Sequence, residues 1–436
     1  MPNFTSSPAF RLVVVGALTL ALQIPVFLIN AIAWERDNTR AEAVREIAAS
    51  WGQNQQIVGP FLVAPYTYET TEVDDKGVSR TRTYSSYATF LPEQLKVVGD
   101  LAVERRYRGI FEAPVYTSTL KISGAFDPPD FSRFQISGLN VRWDAAQIVF
   151  EINDARAVKN SVALDWGGVT IPFEPGVGVR QAERAGIHAP LSRGITEQTS
   201  FSLDLTLAGS QSIRFAPLGR HTDVTLSGNW GDPSFQGAWL PEHDVQTESF
   251  RAVWSIPYLG RSYPEEWIGA GDTGKIDQSL FGADLIAPVD AYRQTERSIK
   301  YAILFLALTF TVIWLFEALG RARVHFVEYA LIGAALCLFY LLELSLGEHL
   351  GFKMAYLLAA APIIALVTAY ARPVLGAWTR AMSVGGVIAA LYGCLYLILQ
   401  LEDYALLAGS LLLFAALATI MYLTRNIDWN TAREPM

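Results

Sequence analysis

Three residues lie close enough along the chain to act together as acids and bases: Glu343, Glu348 and His349. They sit at the outer end of one apolar segment and in the loop after it. A carboxyl group beside an imidazole can pass a proton, and ionisable residues next to a membrane span are candidate functional sites. Glu343 and Glu348 are not in strict i,i+4 register, however, and acids within a turn of a membrane surface also serve as interfacial anchors. Glu317 and Glu328 invite the same anchoring reading at the opposite surface. The other histidines, His188, His221, His243 and His325, form no HxxxH or HExxH pair, so no metal is expected. There is no GxSxG elbow and no phosphate-binding P-loop. Gly269-Ala270-Gly271-Asp272-Thr273-Gly274 fits GxGxxG, but Pro264-Glu265-Glu266-Trp267 precedes it and no βαβ unit surrounds it. It reads as a glycine-rich loop, and no cofactor and no catalytic motif is recognised. Trp230, Phe235 and Trp239, with Trp254 and Trp267 nearby, make an aromatic concentration. Packing is the ordinary role of such rings, but Gly and Pro around Trp230 and Trp239 place them beside loops, as binding candidates.

Two unlike parts position these residues. Mean hydropathy is +0.25 over 436 residues, yet residues 35–298 carry 25 Lys and Arg against 34 Asp and Glu, leaving 9 and 8 elsewhere. The acidic balance lies in the polar part, which argues against a nucleic-acid partner. Residues 10–34 read as a first transmembrane helix, a retained anchor rather than a cleaved signal, because the apolar run is long and Arg11 is its sole basic flank. From Ile299 five apolar segments follow, at 299–319, 326–346, 354–371, 383–400 and 404–423, with a tail over 424–436. Each is about as long as a bilayer is thick, so the expectation is a six-helix, all-α transmembrane bundle.

Between the first and second spans, residues 35–51 have helical periodicity and residues 52–298 have a period of two. Phe201, Leu203, Leu205 and Leu207 alternate with Ser202, Asp204 and Thr206. Similar runs occur around Leu120-Ile122, Ile148-Phe150-Ile152 and Val169-Ile171-Phe173, and turns such as Asp127-Pro128-Pro129 separate them. Half-buried strands without intervening helices indicate a large all-β extramembrane domain, antiparallel and sandwich-like. The only cysteines, Cys337 and Cys394, lie in apolar segments, so the domain has no disulfide framework. The short loops and tail on one side carry Arg321, Arg323, Arg372, Arg380, Arg425 and Arg433, whereas Lys353 stands alone on the other. The positive-inside rule then puts both termini in the cytoplasm and the β-rich domain outside, although Arg36, Arg40, Arg45, Arg293, Arg297 and Lys300 at the domain's own flanks oppose it.

Seven short tags occur in order along nearly the whole chain. They are Ile57-Val58-Gly59-Pro60 with Pro65, Phe90-Leu91-Pro92-Glu93, and Asn229-Trp230-Gly231-Asp232-Pro233-Ser234-Phe235 with Leu240-Pro241. Asp272-Thr273-Gly274, Lys300-Tyr301-Ala302-Ile303-Leu304, Glu348-His349 with Gly351-Phe352, and Leu423-Thr424-Arg425-Asn426-Ile427-Asp428-Trp429 complete the set. In these the sequence resembles the CreD family of bacterial inner-membrane proteins. The resemblance implies a periplasmic domain, a link to cell-envelope integrity and induction by a two-component system, and it supplies no molecular activity. The expected function is therefore that of an envelope integrity factor: the β-rich domain binds an envelope component or a protein partner, and the bundle contacts the lipid bilayer. The competing expectation is an envelope-modifying enzyme or lipid-handling protein with its site near Glu343, Glu348 and His349.

Overall fold

The computed structural model describes residues 8–73, 79–136, 138–180, 185–271, 273–285, 291–320, 324–401 and 404–425. The chain divides into two compact units, Met1–Ala41 with Val289–Met436, and Glu42–Pro288. The helices are α1 (Pro8–Ala21), α2 (Gln23–Trp51), α3 (Thr273–Gln278), α4 (Ala291–Lys300), α5 (Ala302–Gly320), α6 (Phe326–Leu375), α7 (Trp378–Gln400) and α8 (Ala405–Thr424).

In the helical unit, among the described residues, four stretches are long and apolar enough to cross a bilayer: Val13–Trp51, Phe326–Leu375, Trp378–Gln400 and Ala405–Thr424. Tyr292–Lys300 with Ala302–Glu317, bent by 45°, makes a fifth if the pair is one span. The protein is thus a membrane protein with several helices able to span. The helix expected over residues 35–51 continues from the first apolar segment, because α2 runs on to Trp51. One expected boundary is absent. Segments 326–346 and 354–371 are joined within α6, where Gly351 alone leaves helical geometry, at φ 72° and ψ 162°. Without a Cβ, glycine takes that left-handed φ at little cost, so the expected loop becomes a break between two helical arms. Glu328 closes a capping box at the start of α6, accepting the His325 N–H at 2.8 Å, while the His325 ring accepts the Val327 N–H. Glu317, on α5, accepts the Val324 N–H at 3.3 Å and the Tyr329 hydroxyl at 3.2 Å, closing the turn into α6. The core of this unit is aromatic, built around Phe310, Phe339, Tyr340, Tyr356 and Tyr392. Gly385 of α7 lies against Thr368 of α6, where a Cβ would overlap the threonine side chain. Such small-residue contacts bring membrane helices together. Cys337 and Cys394 are both free thiols.

The second unit is β-rich, with two sheets among the described residues. Gln55–Val73 is the hub of the larger sheet. It pairs antiparallel with Ser79–Phe90, Asn140–Val141 and Gln147–Ile152, and parallel with Ser212–Phe215. In the smaller sheet the order is Glu242–Gln246, Ser249–Pro257, His221–Gly228, Gln94–Arg108, Phe111–Phe126, Thr199–Ser210, Ala163–Trp166 and Val169–Pro172. His221–Gly228 runs parallel to Gln94–Arg108. With the parallel pair in the larger sheet, this corrects the purely antiparallel expectation to mixed sheets. Parallel neighbours need long crossover connections, which local alternation does not reveal.

Thr199–Ser210 keeps the expected period of two, with Phe201, Leu203 and Leu205 buried between exposed Ser202 and Asp204. Gln147–Ile152 does not, because nearly all of it is buried, as in a strand covered on both faces. Val169–Pro172 is a largely exposed edge strand instead of a half-buried one. Buried side chains from both sheets form one core, in which Trp254 of the smaller sheet meets Phe281 of the larger at 5.4 Å between ring centroids. The last turn of α2 packs on the same unit: Ile47 is buried with Ala113 and Val115, and the Trp51 indole N–H donates to the Tyr116 carbonyl at 3.1 Å. Leu205→Ala, which empties a fully buried site, should cost about 2–5 kcal/mol of stability. Denaturant unfolding followed by tryptophan fluorescence checks it; a midpoint unchanged from the parent would show that this core does not limit stability.

Candidate functional site

The acid–base candidates lie in the helical unit, and α4 decides their surroundings. Tyr292, Thr295, Ser298 and Ile299 recur at helical spacing and form the more buried side of α4, with Arg293, Glu296 and Lys300 exposed. Ser298 donates its hydroxyl to Glu343 Oε2 at 2.8 Å. Glu343 is 0% exposed, and its other oxygen has no hydrogen-bond partner. Two turns nearer the N-terminus of α4, the Tyr292 hydroxyl donates to Glu348 Oε1 at 2.8 Å. The same carboxylate accepts a fork from Arg36 of α2, with Nε at 2.6 Å and Nη2 at 2.8 Å. A planar guanidinium matches a carboxylate in this two-bond geometry, which fixes orientation as well as charge. His349 follows Glu348 but is exposed and joins neither contact.

The structure therefore gives Glu343 and Glu348 a common neighbour, α4, and leaves His349 outside. The Glu348 carboxylate already holds three donor bonds, which fix it in place between helices. Glu343, sealed in the helical unit, has no open approach. The arrangement ties α2, α4 and α6 together, and Arg36, Tyr292 and Ser298 are the partners that inspection of the acids alone missed. The available signal was the polar stripe Tyr292, Thr295, Ser298 at helical spacing.

The aromatic candidates lie in the β-rich unit, and each is engaged in packing. Trp230 is only 8% exposed and belongs to the core, and its indole N–H donates to the Asp232 carbonyl at 3.2 Å. Its neighbour Asn229 clasps Val103, accepting that residue's N–H at 2.6 Å and donating to its carbonyl at 3.1 Å. Phe235 is half-buried among His243, Phe250 and Trp254, with centroids 5.0, 6.1 and 5.9 Å away. Trp239 packs edge-on to Phe281 at 6.1 Å, and its carbonyl accepts the Trp254 indole N–H at 3.1 Å. Trp230 is thus a core ring, whereas Phe235 and Trp239 are half-buried against neighbouring rings. The glycine-rich loop follows a three-residue strand, Glu266–Ile268, that pairs antiparallel with Ser79–Phe90, and it leads into the six-residue α3. That is not the parallel strand–helix unit a dinucleotide site requires.

The Arg36–Glu348 fork is open to a charge-exchange test. Arg36→Glu and Glu348→Arg should each lower thermal stability by the equivalent of about 1.5–3 kcal/mol, and the double exchange should recover part of that loss. Melting curves of the four proteins in one lipid preparation give the coupling. A coupling near zero would contradict a structural role.

Comparison with known proteins agrees with this architecture. The chain matches the family described as inner membrane protein CreD over residues 7–430. It is 35% identical over 418 residues to inner membrane protein CreD of Escherichia coli (strain K12), covering 95% of this chain and 92% of that one. Among solved structures, an M1 zinc metallopeptidase from Deinococcus radiodurans aligns with 79% of this chain and 96% of its own at 8% identity and a TM-score of 0.24. The same enzyme with a bound Tyr-Ser-Ala substrate aligns with 80% and 96% at 10% identity and a TM-score of 0.22. Scores so low carry no argument about fold or activity. The family match and the extent of the alignment to the Escherichia coli protein together make this chain a member of the CreD family of inner membrane proteins.

Proposed function

We propose that the protein is a non-enzymatic envelope factor, in which the helical unit anchors a β-rich module that binds an envelope component or partner protein on the periplasmic side. The observation that carries this reading is the engagement of Glu343 and Glu348 in bonds between helices. The residues best suited to acid–base chemistry work as fasteners, which leaves the β-rich module as the part available for recognition. The sandwich-like arrangement of its two sheets belongs to the same reading, supported by their single shared core. Six passes follow if the anchor uses Val13 onward, the bent α4–α5 pair, the two arms of α6, α7 and α8. Both termini then share the cytoplasmic side with the arginine-bearing short loops.

Two measurements test the reading. Glu343→Ala, Glu348→Ala and His349→Ala, compared at equal protein level in cells lacking the native gene, should retain the envelope phenotype, apart from any loss that tracks reduced stability. An inactive His349→Ala protein of normal stability would favour an enzyme with its site there. For sidedness, Ser202→Cys and Thr379→Cys are each placed in a Cys337→Ala/Cys394→Ala background, since both positions are exposed. A membrane-impermeant maleimide should label Ser202→Cys from the periplasm and leave Thr379→Cys unlabelled. The reverse pattern would place the module in the cytoplasm.

A further inference from the structure

One patch of the larger sheet gathers polar groups that no described residue satisfies. Val63, Thr89 and Trp267 are successive cross-strand neighbours on three paired strands, so their side chains share one face. Tyr87, two residues before Thr89, lies on that face, as does Phe61, whose ring is 6.1 Å from that of Trp267. Arg180 lays its guanidinium 3.9 Å from the Phe61 ring centroid and 5.9 Å from that of Trp267. Its Nε donates to Glu151 at 2.7 Å, with both side chains almost fully buried. Arg180 Nη1, Trp267 Nε1, Thr89 Oγ1 and Tyr87 Oη are each buried without a hydrogen-bond partner. Nine such side-chain atoms occur among the described residues, and four of them fall on this one patch, which points to a missing partner rather than scattered imperfection.

The chemistry of the four atoms describes that partner. Guanidinium and indole N–H groups can only donate, whereas the two hydroxyls can donate or accept. The ligand must therefore offer strong acceptors, and groups that both accept and donate, such as hydroxyls, match Thr89 and Tyr87 in either role. The charge on Arg180 is already balanced by Glu151, so an added anion would bring uncompensated charge into a buried site. The aromatic rings supply flat apolar faces, and the side chains of Tyr87 and Trp267 are only half-buried. Gly269 and Gly271, from the loop that resembled a nucleotide motif, have φ of 70° and 68°. A Cβ at Gly271 would overlap the Trp267 indole nitrogen. Glycine keeps that nitrogen free of side chains. We propose that the Arg180–Trp267 patch is a binding site for a neutral saccharide, with an acetamido or hydroxyl oxygen taking the donor-only N–H groups and ring hydroxyls meeting Thr89 and Tyr87. The proposal deepens the reading of the β-rich module as the binding part and rests on it.

The test uses the full chain in nanodiscs of phosphatidylethanolamine and phosphatidylglycerol, free of glycosidic detergent, with the trimer of N-acetylglucosamine as probe. Saturation-transfer NMR should show contact with the trimer that added inorganic phosphate does not displace. Trp267→Phe and the double variant Tyr87→Phe/Thr89→Val should each bind about tenfold more weakly or worse. Without ligand, the double variant should melt higher than the parent, because it removes buried hydroxyls that have no partner. No transfer to the parent protein, displacement by phosphate, unchanged binding in the variants, or a lower melting point of the double variant would each overturn the site. Binding to purified protein does not depend on sidedness. A periplasmic Ser202→Cys with no trimer contact therefore removes this site alone, whereas a cytoplasmic Ser202→Cys removes the parent reading.

Discussion

The fork from Arg36 to Glu348, shared with the Tyr292 hydroxyl, is the interaction on which the membrane part depends. A bilayer admits only backbone whose hydrogen bonds are satisfied internally, so a chain rich in strands must leave it as one helix and return as another. Here α2 leads out and α4 leads back, separated by the whole β-rich unit in sequence. One carboxylate on α6 holds both. A second, Glu343, holds α4 again through Ser298. The cost of burying a carboxyl group is offset only where donors meet it, so these two glutamates are constrained by position before any chemistry is asked of them.

The β-rich unit solves a different problem with no disulfide to help. The strand Gln55–Val73 pairs along much of its length with several partners, and buried residues of both sheets close into one core. Because Gln147–Ile152 is covered on both faces, its polar member Glu151 is buried too and needs Arg180 beside it. That ion pair brings a guanidinium onto an aromatic face, and the unsatisfied donors around it follow from the same burial.

Much of this was legible in the residues. Apolar length located helices able to span a bilayer, and the alternation of Phe201, Leu203 and Leu205 with Ser202 and Asp204 located a strand that buries one face. Other features depend on contacts that neither length nor periodicity encodes. The break at Gly351 looked like a loop, because a helix interrupted by one glycine and two short helices joined by a turn have nearly the same hydropathy. Trp230 beside Gly231 and Pro233 suggested an exposed ring, yet the turn folds it inward, and whether an aromatic faces in or out is a tertiary fact. The parallel pairing of His221–Gly228 with Gln94–Arg108 joins strands more than a hundred residues apart, beyond the reach of local pattern. Arg180 stood in a polar loop, with nothing in its neighbours to announce that Glu151 would lie against it.

The central claim is that recognition belongs to the β-rich module and that the helical unit serves as its anchor. The most direct measurement is site-specific photo-crosslinking in living cells, from a photoreactive amino acid placed singly at Lys121, Ile268 or His349 of the full-length chain, all exposed positions. The account predicts adducts with envelope material from Ile268 or Lys121 and none from His349. Adducts from His349 alone, with both module positions silent, would contradict it.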